Sequence, residues 1–261
     1  VPKYLLFFFL FIFIFAGIGS IKADPTVLDE FSVVTESNET TGITFNDKGE
    51  KMYISGSKPG NNKIFQYSLS TGFDLSSGVS LVGDLDLSAF QPATGGWRAN
   101  DIRFNNDGSK MFLPMIASND VGATHGIHQF DLSVAYDISS ASSEYYFAPS
   151  SVTSGTPTGI EFNDTGTKMF LSMGAEVKEY TLSSAFDLQS TVTFVQSADL
   201  SAQTNPLDAN NKGIKELILS DDGTILFVVN KNPHNIYEYS LSSAFDVSNL
   251  TFIAKTDDNF V

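Results

Sequence analysis

Residues 42–54 read Gly42-Ile43-Thr44-Phe45-Asn46-Asp47-Lys48-Gly49-Glu50-Lys51-Met52-Tyr53-Ile54, two short apolar and β-branched runs around an Asn-Asp-Lys-Gly turn. Asn and Asp bond their own backbone in turns and Gly supplies a positive φ, so the stretch predicts two antiparallel strands joined tightly. The same sentence returns three times. It runs from Asp101 through Ile102, Phe104, Asn105, Asp107 and Gly108 to Lys110, Met111, Phe112 and Leu113. It returns at Gly159, Ile160, Phe162, Asn163, Gly166, Lys168, Met169, Phe170 and Leu171. A looser copy holds Leu217, Leu219, Ser220, Asp222, Gly223, Ile225, Leu226, Phe227 and Val228. The turn glycines 49, 108, 166 and 223 are spaced by 59, 58 and 57 residues. A period of this length is the mark of a repeat architecture.

Each copy continues in the same way. Ile64-Phe65-Gln66-Tyr67-Ser68-Leu69 is matched by Ile127 to Leu132, Val177 to Leu182 and Ile236 to Leu241. Then come Phe73-Asp74-Leu75, Tyr136-Asp137-Ile138, Phe186-Asp187-Leu188 and Phe245-Asp246-Val247, each followed by a less regular strand. Every unit therefore holds four short strands, A to D, and no sustained 3.6-residue apolar period appears outside the first 23 residues. Four-stranded units repeated along a chain predict an all-β protein, a β-propeller of four four-stranded repeats. It is either a four-bladed ring or part of a larger propeller. Val27 to Val34 reads as a solitary D strand ahead of the first full unit, so open blade edges and self-association through them are expected.

The Phe-Asn-x-x-Gly-x-Lys-Met-Phe pattern resembles the hairpin of bacterial propeller repeats, the YVTN, NHL and WD40-like groups. Leu226-Phe227-Val228-Val229-Asn230 is similar to the YVTN stretch itself. The resemblance covers residues 27–261 and implies the propeller fold. Such repeats host enzymes, adhesins and scaffolds alike, so it implies no single function.

Val1 to Ala23 has the form of a signal peptide: Lys3, then an apolar run from Leu5 to Ile18 with six phenylalanines, then Ile21-Lys22-Ala23. The run is 14 residues, short of the roughly 20 that span a bilayer. Residues 24–261 are then the propeller domain of an extracytoplasmic protein, secreted or periplasmic, with no membrane segment after cleavage. The 261-residue chain carries a net charge of −15, or −17 without Lys3 and Lys22, which disfavours nucleic acid as a partner. Without cysteine, disulfides, thiolate metal sites and cysteine nucleophiles are excluded.

The Asn-Asp-x-Gly turns suggest calcium at first sight. No Glu follows at the spacing a calcium loop needs, and Lys212 spoils the segment Asp208 to Gly213, so the turns read as turn chemistry and no cofactor is expected. No catalytic motif is present, and His128 reads as an ordinary strand side chain. The better signal is the loops that depart from the repeat. The D-to-A and B-to-C connections share one face at the channel mouth. That face would gather the candidate ligand-binding residues Trp97, Arg98, Asn100, Asp101, Asn119, Asp120, His125, Asn210, Lys231 and His234. Asn offers donor and acceptor together and Trp97 suits a sugar face. The expectation is a non-enzymatic binding or adhesion module for a polar ligand, glycan or protein surface. The alternative is a lactonase-like metal-dependent hydrolase, which carboxylates converging in the channel would favour.

Overall fold

The computed structural model describes residues 29–37, 40–58, 61–76, 78–90, 96–118, 125–149, 156–204, 213–230 and 235–256. The four repeats form four antiparallel sheets set around a common axis, a four-bladed β-propeller. Blade 1 is β1 (Thr40–Phe45), β2 (Lys51–Lys58), β3 (Asn61–Ser68) and β4 (Ser80–Asp86). Blade 2 splits its first strand into β5 (Gly96–Ala99) and β6 (Arg103–Phe104), followed by β7 (Lys110–Ser118), β8 (Gly126–Leu132) and β9 (Ala141–Phe147). Blade 3 is β10 (Pro157–Phe162), β11 (Lys168–Met173), β12 (Glu176–Leu182) and β13 (Val192–Asp199). Blade 4 is β14 (Ile214–Leu219), β15 (Ile225–Asn230), β16 (Asn235–Ser243) and β17 (Asp246–Lys255). Among the described residues the one α-helical turn is Ser201–Thr204, and no helix is long and apolar enough to cross a membrane.

The A–B turns are built as their residues dictate. Asn46, Asn105 and Asn163 each accept the backbone N–H of the residue five on, Lys51, Lys110 and Lys168, at 2.9 Å. Ser220 does the same for Ile225 in blade 4. The glycines answer a second demand. Phe73, Tyr136, Phe186 and Phe245 sit at φ 60, 57, 52 and 55, a left-handed conformation that is exceptional for bulky residues. Each donates its N–H to the carbonyl of the turn glycine and lays its ring across it, so a Cβ on Gly166 would lie 2.1 Å from the Phe186 ring. The C–D turn thus clasps the A–B turn of its own blade.

Successive blades interlock through three clusters. Tyr53 and Ile64 of blade 1 pack with Met111, Leu113 and Phe130 of blade 2. Phe112 and Ile127 pack with Met169, Leu171 and Tyr180, and Phe170 and Val177 with Leu226, Val228 and Tyr239. Met52, Met111 and Met169 and the neighbouring Tyr53, Phe112 and Phe170 are therefore core, while Phe227 in the same column is only half-buried. A fourth cluster, with Met52, Ile54 and Tyr67, belongs to blade 1 and is covered by Val33.

Polar latches accompany the clusters. In each of the first three blades a bulge or break in the A strand frees one residue, whose side chain bonds the backbone in or next to the first strand of the next blade. Thr41 donates to the Ala99 carbonyl at 2.6 Å, Asn100 to Pro157 at 3.1 Å and Thr158 to Ile214 at 2.6 Å. Gln66, Gln129 and Glu179 accept the N–H of Ile138, Leu188 and Val247 in the C–D turn of the following blade.

The solitary N-terminal strand is not formed. Residues 29–33 carry no strand pairing and Val34–Glu36 make a turn, because Phe31 and Val33 instead pack on blade 1, Phe31 edge-on to Tyr67 at 5.6 Å. Val27 and Leu28, like the segment 1–23, lie outside the described residues.

Candidate functional site

A-strand residues of three blades meet at Arg103. The Arg103 guanidinium donates from Nη1 to Asp101 Oδ1 at 3.0 Å and from Nη2 to Glu216 Oε1 at 2.7 Å. Its Nε lies 3.5 Å from Glu161 Oε2. Asp101 and Arg103 belong to blade 2, Glu161 to β10 of blade 3 and Glu216 to β14 of blade 4. Asp101 is wholly buried and also accepts the N–H of Ile102 and of Ile160, which fixes both its oxygens. Glu161 Oε1 accepts the N–H of Phe162.

Three carboxylates thus surround one cation. The Arg103, Glu161 and Glu216 side chains keep 14%, 22% and 19% of their surface in contact with solvent, so the cluster borders water without being immersed in it. Burial pushes the Glu216 carboxyl well above the usual range, and the Asp101 charge adds to the push while Arg103 opposes it. Burial raises Glu161 as well, again against Arg103. Burial would lower the Arg103 guanidinium, but its three acidic neighbours outweigh that and hold it charged. The carboxylate oxygens face a guanidinium already in place, which is not the geometry of a cation site.

Asn100 and Asp101, expected on the loop face, are buried. Asn100 is the bulge residue that latches blade 2 to blade 3, and Asp101 is the anchor of the ion cluster. Arg98 is half-buried in β5, opposite Ile116, and the Trp97 backbone pairs with Ala117. His125 precedes β8 and its carbonyl accepts the Tyr146 hydroxyl at 3.1 Å. Asn119, Asp120, Asn210, Lys231 and His234 lie outside the described residues. His128 is a strand residue as expected, buried, with Nδ1 on Glu144.

Arg103, Glu161 and Glu216 were not expected from the sequence. The signal was present in the repeat columns. Gly42, Asp101, Gly159 and Glu216 share one column of the A strand, and Thr44, Arg103, Glu161 and Ile218 another. Charges appearing where the repeat otherwise carries small or neutral residues mark the axis.

No family model matches the sequence, and no curated protein matches it. Among solved structures the chain is similar to the periplasmic gluconolactonase of Pseudomonas aeruginosa, at 16% identity and a TM-score of 0.51, over 84% of this chain and 57% of that one. It is similar also to a putative 6-phosphogluconolactonase of Bacteroides fragilis, at 12% identity and 0.47, over 83% and 70%. A nidogen/laminin complex matches at 11% identity and 0.48, over 82% and 64%. At such identities the likeness is one of fold: these are β-propellers. The chain spans little more than half the length of the gluconolactonase.

Proposed function

We propose that the protein is an exported, non-enzymatic binding or interaction module of the bacterial YVTN-like propeller type, which holds a polar ligand, glycan or protein surface on its loop face. The observation that carries this reading is the contrast between the two faces. On the turn face each Asn or Ser of the A–B turn is bonded to its own backbone, and Asp74, Asp137, Asp187 and Asp246 each accept the N–H two residues on. That face repeats itself and its polar groups are already engaged. On the opposite face the repeat lapses: the B–C connection is Gly174-Ala175 in blade 3 but spans 119–125 in blade 2 and 231–234 in blade 4. Function concentrates where a rigid scaffold carries variable loops. Immobilised glycan and protein panels test the reading: binding should be lost in a Trp97→Ala, Arg98→Ala double variant that melts like the parent. Binding that survives this change would overturn the assignment of the face.

A second reading rests on Glu216. A carboxyl raised above its usual range by burial, with part of its side chain still in contact with solvent, is suited to general acid work, which keeps the hydrolase alternative in view. Lactone hydrolysis that Glu216→Gln abolishes would favour it, and stoichiometric divalent metal surviving dialysis would place that metal elsewhere than on this cluster.

A further inference from the structure

The first three blades each present the same features to the blade that follows. Ile64, Ile127 and Val177 are 0% exposed beneath it, and two residues on Gln66, Gln129 and Glu179 accept a backbone N–H from its C–D turn. Blade 4 spells the same face with Ile236 and Glu238. There Ile236 is 45% exposed, and among the described residues no N–H reaches Glu238. The receiving side shows the complement. Ile102, Ile160 and Leu217 are 0% exposed under the preceding blade, but Ile43, their counterpart in blade 1, is 46% exposed. Leu75, the counterpart of Ile138, Leu188 and Val247, is only half-buried. Within one chain the donor face of blade 4 and the receiving face of blade 1 do not pack on one another as the other junctions do.

We infer that these two faces are docking surfaces for a second copy of this chain, blade 4 of each copy seated on blade 1 of the other. The occupant is indicated by register. Blade 1 offers the exposed Ile43 and a C–D turn with the N–H of Leu75, the counterparts of what the Ile236 and Glu238 positions receive at every internal junction; Met52 and Ile54 of the same column are already covered by Val33 within the chain, so docking seats beside or displaces that segment. A head-to-tail contact must close or it propagates into a fibre, and two sets of the four described blades joined at both seams close a ring of about eight, within the range propellers adopt. In that ring Glu238 accepts from the partner copy's turn and the exposed isoleucines leave water.

The full chain, exported and purified, should have twice the single-chain mass in light scattering. Ile236→Lys should return it to the single-chain mass with its circular dichroism unchanged, since the position is exposed within one chain. The absence of cysteine allows a direct check of the register. A Glu238→Cys chain mixed with a Leu75→Cys chain should be joined into a covalent pair by a short bismaleimide. A single-chain mass for the unsubstituted protein, or a dimer indifferent to Ile236→Lys, would overturn the proposal. So would an intramolecular crosslink in the chain carrying both cysteines, which means closure on itself, or a ladder of ever larger species.

Discussion

Replacing Arg103 by Met tests the ion cluster, because it removes the one cation and leaves Asp101, Glu161 and Glu216 facing each other. Breaking a buried ion pair from one side costs about 3–5 kcal/mol, and the cluster's partial contact with channel water points to the lower half of that range. For a domain of this size the change corresponds to a fall in melting temperature of about 6–16 °C near pH 8. The effect should depend on pH with a definite sign. Glu161 and Glu216 have folded-state values raised above the ordinary 4.5, so their contribution is fully present below about 4.5 and is lost as pH rises through the raised values. Arg103 opposes that rise, so its removal drives both carboxyls higher and enlarges the loss. The difference between parent and variant should therefore shrink to less than about half between pH 8 and pH 5. The turn aspartates are depressed instead and lose stability on acidification, but they are the same in both chains and cancel in the difference. Urea melts of the two proteins at both pH values supply the numbers. A difference under about 1 kcal/mol, or one equal at both pH values, would refute the cluster as drawn.

The clasp between turns predicts that Gly166→Ala costs at least about 2 kcal/mol in urea melts, from the left-handed backbone and the Phe186 ring together; a near-neutral result would contradict it. Phe162→Ala, between the rings of Phe112 and Phe186, should cost about 3–5 kcal/mol, while Asp164→Ala at the neighbouring exposed turn stays within about 1 kcal/mol. Equal losses at the two sites would discredit the blade register. Asn100→Ala should destabilise by about 1–3 kcal/mol by leaving the Pro157 carbonyl unpaired, where a loop ligand residue would melt unchanged. Intact mass of the exported protein should begin at Asp24, and a product retaining Val1 to Ala23 would speak for an anchor instead.

The repeat made the blades legible. The A–B turn and the Ile-x-Gln-Tyr run recur with so little change that strand order and core columns follow from the sequence. Four things did not follow. The left-handed aromatics Phe73, Tyr136, Phe186 and Phe245 are invisible to propensity, because their conformation is imposed by tertiary contact with a glycine about 20–30 residues earlier. Gln66, Gln129 and Glu179 look like outward polar positions of alternating strands, yet each is buried to hold a neighbouring blade. The ion cluster joins residues from three blades, and its only trace in the sequence is that charges replace small or neutral residues in two A-strand columns of the repeat. Asn100 and Asp101 look like loop residues in the sequence, because the break between β5 and β6 that turns them inward leaves no mark in periodicity.

The latches also carry a direction in time. Gln66 bonds a residue 72 positions later, Gln129 one 59 later and Glu179 one 68 later, so each blade is secured by a turn that has not yet been made when the blade itself is complete. At translation rates of about 5–20 residues per second, a nascent blade waits roughly 3–14 s for its fastening. During that interval its leading face, with Ile64, Ile127 or Val177 uncovered, is what a chaperone meets, and the order of assembly is written from the N-terminal blade onward.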